Sequence, residues 1–472
     1  MTRLCLWLRD ATPHAYRHYA ILGGIFINLN EWKEKHKASR NLAHFDLKVS
    51  LAQVWEYITD PEKVATHGFY PFINYTLSMR KFDGKSENKT KVKDREICYS
   101  AHIDRFIYQY YGFLLNKHYN NRAKVDGIQE ASIAYRDELH QSNIHFAERA
   151  ISFIKTKPEC YVIIGDFAKF FDNLDHNYLK IRLCDLLGKD KLPEDFYAVY
   201  KNITKYSTWS REHLLSHNKM GTTKKDIVAF NKLDRAISVE EFKKLKKLVI
   251  MPHKEKFGIP QGSAISAVFS NIYMLAFDKS LNDYVTGNSG LYMRYSDDFI
   301  VVLPKTNLEH FKTQFQHIGS QISSIPGVKL EPEKTQLFEY NSGSIRSCNE
   351  DVLDGVPNSH NLMNYLGFTF DGQSVSIRAK TVSRYYNKMY RKIRTVVKSK
   401  GVTKDGRRLS CRNLYTIYSI KGAFLGKTHK DGNFLTYAKR AERVFKNEPA
   451  VALVSKRHMQ KIRKQLKKAL WE

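Results

Sequence analysis

The residues best suited to chemistry in this chain are three aspartates at the ends of apolar runs. Asp297 and Asp298 sit in the stretch LYMRYSDDFIVVL (291–303), between two short segments of aromatic and β-branched residues. Such segments read as two strands joined by a tight turn, which puts both acids at a hairpin tip. Asp166 follows YVIIG (161–165), a buried-strand pattern. Carboxylates placed side by side repel, and one takes up a proton unless a cation offsets the charge. Hard Mg²⁺ prefers carboxylate oxygens. Two strand-borne acid positions folded side by side would make a two-metal site, with metals about 3.5–4 Å apart activating a hydroxyl and stabilising a leaving oxygen. Phosphoryl transfer needs mainly positioning and charge neutralisation, which such a site supplies.

Between the two acid positions lies GIPQGS (258–263), running into the apolar AISAVFSNIYM. Glycine lets backbone approach a ligand closely, and a loop-to-helix junction presents free amide N–H groups to phosphate or sugar. The composition points the same way. A formal charge of +29 over 472 residues, spread along the whole chain, calls for a polyanionic partner held in an extended channel. With 42% apolar and 13% aromatic residues there is ample material for a core, so general disorder is excluded. The six cysteines contain no CxxC pair, which removes a zinc knuckle and a disulfide framework and suits a reducing, cytoplasmic setting. No stretch approaches the roughly 20 apolar residues of a membrane helix, and 20–29 makes a poor signal peptide.

The elements that must position these residues follow from the pattern. Short helical pieces are expected over 46–58 and 62–72, a polar loop over 81–93, and a strand from Arg95. A helix over 102–119 carries Phe106, Tyr110 and Leu114 on one stripe, with Asp104 and Arg105 on another side. Further helices are expected over 147–154, 176–187 and 308–322, with strands at 161–164 and a strand pair over 328–340. Hairpin strands follow at 365–370 and 374–377. Residues 201–256 are polar and basic, an elaboration on the main fold. From Thr381 the chain turns helical and basic, ending in a helix over 455–471 with Met459, Ile462, Leu466 and Leu470 on one face and cations elsewhere.

In order and spacing, GDFAKFFDNLDH with Asp166, then GIPQGSAISAVFSNIYM, then RYSDD resemble reverse transcriptases: the first palm acid, the template-grip loop and the YxDD hairpin. Arg95-Glu96-Ile97 resembles the fingers motif, Glu333-Lys334-Thr335 a later palm motif, and Asn364 to Phe368 the primer-grip hairpin. The resemblance covers roughly residues 90–375. It implies an α+β right-hand polymerase: an N-terminal extension and start of fingers (1–90), fingers and palm with an antiparallel sheet (91–375), and a basic helical thumb and C-terminal region (376–472). By the same resemblance, Asp166 and Asp297 ligate two Mg²⁺ ions (Mn²⁺ substituting), Asp298 supports them, and the Phe167 carbonyl completes the coordination. Phe171 takes the place of the steric gate that would reject a 2′-hydroxyl. Arg95, Lys93 and Lys334 bind the incoming triphosphate and leaving pyrophosphate, while Gln261 and Gly262 touch the nascent pair and template. Tyr295, Leu366 and Gly367 fall at primer and template positions.

An RNase H domain is not expected, because beyond Gly372 the only acids are Asp405, Asp431, Glu442, Glu448 and Glu472. The chain resembles compact bacterial enzymes, and YSAHIDRFIYQYYGFLL, ASIAYRDELHQSNIHFAERA and GNFLTYAKRAERVF favour the defence-associated branch that includes the unknown-group, abortive-infection and retron-like types. That implies dNTPs as substrates, a structured non-coding RNA as template, a DNA product, and a further copy or defence protein as partner, with no membrane. Two rivals stand beside it: a group II intron maturase-like RNA-binding reverse transcriptase, and a non-catalytic nucleic-acid-binding scaffold. Ala264 and Ala267 stand where many relatives have prolines.

Overall fold

The computed structural model describes residues 19–22, 25–37, 41–82, 90–353, 355–358, 360–399, 411–423, 432–454 and 458–471. The chain divides into two compact units: one of residues 1–129, 168–279 and 323–329, the other of 130–167, 280–322 and 330–472.

The first unit is built on a long antiparallel ribbon, Phe72–Phe82 paired with Thr90–Tyr99. Ser207–Ser210 adds to it in parallel, and Met251–Pro252 closes the far edge. The ribbon corrects the expected loop over 81–93 at 81–82 and 90–93, where the ladder runs on through Lys93↔Met79 to Phe82↔Thr90; residues 83–89 of that stretch lie outside the described residues. Cross-strand pairing satisfies the backbone there although the side chains are charged, so polarity alone does not mark a loop. Helices replace part of 46–72 only at Leu51–Ile58 and Pro61–Ala65, the second opened by Asp60, whose carboxylate caps two backbone N–H groups. The chain from Phe72 onward is strand.

The helix His102–Val125 runs through this unit with Phe106, Ile107, Tyr111 and Leu115 buried. Its Asp104 and Arg105, on another side of the helix, are buried too. Asp104 accepts hydrogen bonds from Tyr70 N (3.0 Å) and pairs with His67 Nε2 (2.8 Å), which offsets the cost of its burial. The basic stretch 201–256 contributes core residues: Trp209, Leu214, Phe230 and Ile237 pack with Phe45, Ile73 and Tyr99.

The second unit centres on a five-stranded antiparallel sheet in the order Ser344–Ser347, Gln336–Asn341, Glu159–Asp166, Asp298–Pro304, Leu291–Tyr295. Alternate residues Cys160, Val162 and Ile164 join the core under the helix Asn143–Lys155. On the opposite face Tyr161 stacks on Phe311 of the helix Leu308–Ser323, with ring centroids 4.0 Å apart. The expected strand pair over 328–340 is a single strand, Gln336–Asn341, preceded by a 3₁₀ turn at Pro332–Lys334. Pro332 lacks the N–H that a continuing ladder would need.

A small sheet, Met363–Tyr365, Phe368–Phe370 and Val375–Ile377, shares the same core. It leads into the helix Ala379–Lys398, which buries Tyr385, Met389, Ile393 and Val396 and leaves Lys380, Arg384, Lys388, Arg391, Arg394 and Lys398 exposed. The last helix, His458–Trp471, packs Ile462 and Leu466 against Met389 and Ile393. Among the described residues, no helix is long and apolar enough to cross a membrane.

Candidate active site

Strands Glu159–Asp166 and Asp298–Pro304 lie side by side, and their register sets Asp166 directly opposite Asp298. Leu291–Tyr295 returns beside them, its last pair being Tyr295↔Asp298, so Ser296 and Asp297 form a two-residue turn. Ser296 has φ 64°, the left-handed conformation that tight hairpins favour. Phe167 N donates to the Asp297 carbonyl at 3.1 Å, tying the turn to the end of the Asp166 strand. The Phe167 ring is buried and stacks on Phe299, centroids 5.2 Å apart. The sheet thus brings Asp166, Phe167, Tyr295, Asp297 and Asp298 to one end.

The electrostatics there are those of crowded carboxylates. Burial, then the Asp297 and Asp166 charges, push Asp298 up to about 7. Burial, with Asp166 adding, raises Asp297 as well. Lys334 lies across the end of this group and donates to Asp166 Oδ1 at 2.6 Å, with Glu331 Oε2 4.0 Å away. It ends the 3₁₀ turn Pro332–Lys334, and Glu331 just before that turn donates its N–H to the Asp166 carbonyl at 2.8 Å. Among the described residues, no three His, Cys, Asp or Glu side chains are already gathered as a metal cage. The donor chemistry nevertheless suits a hard divalent cation: oxygen ligands only, with Asp297 and Asp298 raised in proton affinity by burial and then by neighbouring charge, and one Asp166 oxygen now engaged by an ammonium.

Leu366 and Gly367 make the turn between Met363–Tyr365 and Phe368–Phe370, with φ 43° and 94°. Asn143 Nδ2 donates to the Leu366 carbonyl at 2.9 Å, and Arg378 N to the Gly367 carbonyl at 3.0 Å. A residue the sequence reading passed over stands beside the acidic turn. Arg294 has no exposed surface, and its Nη1 donates to the Ser296 carbonyl at 2.9 Å. Its only signal is an arginine placed directly before the Tyr-Ser-Asp-Asp run.

The remaining candidates belong to the first unit. Gly262, φ 113°, packs so closely on the ribbon that a Cβ would run into the Cys98 carbonyl oxygen. Cys98 N donates to the Gln261 carbonyl at 2.8 Å, and Gln261 Nε2 to Asp172 Oδ1 at 3.1 Å. Ile97 also borders Gly262, so by strand alternation Arg95 and Lys93 project from that same face of the ribbon. Arg95 is exposed and Lys93 half-buried. Phe171 is half-buried while its neighbour Phe170, an equally bulky ring, is buried in the core. The Phe171 carbonyl accepts from Ile259 N at 2.9 Å, fixing this segment to the glycine loop.

The family model for reverse transcriptase (RNA-dependent DNA polymerase) matches residues 114–370, more than half of the chain. The chain belongs to the reverse transcriptase family. Reverse transcriptase domains generally use divalent metal ions, in keeping with the oxygen-only donor set at the sheet end. No curated protein matches the sequence. Among solved structures, this reverse transcriptase is similar to an apo telomerase from Candida tropicalis truncated of its C-terminal domain (17% identity, TM-score 0.37, 75% of this chain and 61% of that one). It is also similar to the apo telomerase of Candida tropicalis (15%, TM-score 0.39, 93% and 68%). A third is the telomerase of Candida albicans in complex with a TWJ fragment of telomeric RNA (13%, TM-score 0.38, 96% and 70%). The chain therefore spans 61% of the first of these.

Proposed function

We propose that this protein is an active RNA-directed DNA polymerase that adds dNTPs to a primer on an RNA template, in a right-hand arrangement of fingers, palm and thumb. The observation that carries the reading is the meeting of Asp166, Asp297 and Asp298 at one end of the antiparallel sheet, in a chain of this family. Asp166 and Asp297 would hold the divalent ions, Mg²⁺ first among them, with Asp298 and the Phe167 carbonyl in support. Bound there, the ions would activate the primer hydroxyl and neutralise charge on the phosphates.

The chain's own groups do the rest. Arg95 clamps triphosphate oxygens, for which its planar fork is suited, and Lys93 adds charge on the same face. Phe171 excludes the 2′-hydroxyl. Gln261 and Gly262 support the nascent pair and template, and Leu366, Gly367 and Tyr295 the primer. Lys334, released from Asp166, stabilises the pyrophosphate leaving group. The exposed cations of Ala379–Lys398 grip the backbone. The partner would be a structured non-coding RNA and the setting antiphage defence, a placing that rests on the sequence resemblance.

Purified protein incubated with Mg²⁺, dNTPs and an RNA template–DNA primer tests the activity. Extension that disappears in Asp297→Asn supports it, and extension untouched by that change, or absent from the native protein, sinks it. Sequencing the nucleic acid that co-purifies tests the template: a short structured RNA is expected, and an intron would overturn the defence placing.

A further inference from the structure

The Tyr-Ser-Asp-Asp turn is held in a conformation that its own residues do not favour. Ser296 sits at φ 64° without being glycine, a strained state that persists only where surroundings impose it. What imposes it is visible next to the strand Leu291–Tyr295, at the edge of the five-stranded sheet. Residues 131–133 run along that edge: Arg294 N donates to the Ala131 carbonyl at 2.7 Å, and Ile133 N to the Arg294 carbonyl at 3.0 Å. Arg294 thus has its backbone fixed on both sides.

Its side chain is wholly buried and forks. Nη1 reaches the Ser296 carbonyl at 2.9 Å and Nη2 reaches Ser132 Oγ at 3.2 Å. Ser132 is in turn fixed from behind, because the buried Arg136 donates from Nη1 to the Ser132 carbonyl at 2.9 Å and from Nη2 to Glu138 at 3.0 Å. On the outer side Tyr135 OH bonds Ser296 Oγ at 3.1 Å. Burying a guanidinium costs several kcal/mol, and a methionine would fill the space without that cost. The planar fork is what methionine cannot supply, since it meets two acceptors at a fixed separation.

We infer that Arg294 is a positioning residue: anchored on Ser132, its guanidinium clamps the Ser296 carbonyl and so sets the turn that presents Asp297 and Asp298. The clamp rests on the polymerase reading for its role, and it acts through the two aspartates without touching substrate. Segment 131–136 is then a brace for the acidic turn as well as a cover for an open sheet edge.

The full-length chain is tested as Ser132→Ala, Tyr135→Phe, Arg294→Lys and Arg294→Met. Three measurements are made: thermal melting, Mg²⁺ dependence of primer extension with dNTP KM, and Mn²⁺ binding to the unreacted protein by electron paramagnetic resonance. Ser132→Ala is expected to fold and to need about 10-fold more Mg²⁺, the low end of what loss of a supporting group around a metal site costs, with dNTP KM within about twofold. Mn²⁺ binding should weaken in parallel. Arg294→Lys should keep part of the affinity and Arg294→Met less, and if Arg294→Met does not fold, Ser132→Ala and Arg294→Lys decide. Folded Ser132→Ala and Arg294→Lys with native metal affinity overturn the clamp. If the native protein extends no primer, the polymerase reading fails on its own, while Mn²⁺ binding still reports on the turn.

Discussion

At the acidic end of the five-stranded sheet, position is a contest of charges: Asp166 and Asp298 face each other across the ladder, and Lys334 bonds the first. In the loop at Gly262, position is a matter of shape. The Cys98 N–H bonds the Gln261 carbonyl, the Cys98 carbonyl lies against Gly262, and the residue at that contact has no side chain at all. One region is fixed by what its side chains carry and the other by what its backbone excludes. Isosteric loss of charge should therefore disable the first while sparing its fold, and a single added methyl group should damage the second.

The largest effect expected on this view is from Asp166→Asn. It keeps shape and removes charge, and extension should fall on the order of 10³-fold or more, beyond the 10–100-fold typical of groups that merely support a metal site. Melting should be little changed, and an Asp166→Asn protein that still extends would break the charge side of the comparison. Phe171→Val tests shape. Discrimination of dNTP over rNTP, read as the ratio of kcat/KM values, should relax by roughly 10–100-fold, the range of a few apolar contacts. Unchanged rejection of rNTPs removes the gate from Phe171.

Gly262→Ala should cost about 1–3 kcal/mol in denaturant unfolding, because φ 113° and the Cys98 carbonyl both oppose a Cβ. Native stability in that variant would mean the loop is not shape-limited. The smallest effect is from Asp298→Asn in EDTA. Asp298 has its proton affinity raised to about 7, so the folded state binds more protons than the unfolded chain between about pH 4 and 7. The contribution of Asp298 to native stability should then fall as pH rises through that window, and the asparagine should make the fall shallower, leaving the part that Asp297 contributes. At pH 8 the variant is expected to be more stable by about 1 kcal/mol or more, one pKa unit being about 1.4 kcal/mol. Melting curves at pH 4.5 and 8 that move in parallel for both proteins would contradict it.

The hairpin around Asp297 was legible because β-branched and aromatic residues flank a polar pair, a pattern set by local physics. The turn at Leu366–Gly367 was legible only through its likeness to a known motif, since the apolar pattern alone reads 365–370 as one strand. The ribbon through Lys93 was not legible, since its charged residues look like loop and only the partner strand, distant in pattern if not in sequence, satisfies their backbone. The burial of Asp104 and Arg105 was not legible, because a helical stripe marks only one buried face. The helix His102–Val125 is packed on more than one side, and its Asp104 is held by His67 and Tyr70 from elsewhere in the chain. Arg294 was invisible for a related reason: nothing local marks an arginine as buried, and its acceptors Ser132 and Ser296 are ordinary serines. The triad of acids is a pattern, whereas the groups that hold it are contacts.

The interleaving of the two units along the chain has a consequence for how the protein is made. The strand Glu159–Asp166 emerges from the ribosome with an apolar run and two open edges. Its first neighbour, Asp298–Pro304, is synthesised about 130 residues later and its second, Gln336–Asn341, about 170 residues later. At roughly 5–20 residues per second, the nascent chain carries that unpaired edge for something like 7 to 35 seconds. An edge of this kind is a template for mispairing, so the interval is an aggregation window and a binding site for holding chaperones. Slower translation between residues 166 and 298 should lower the soluble yield more than the same slowing after residue 347.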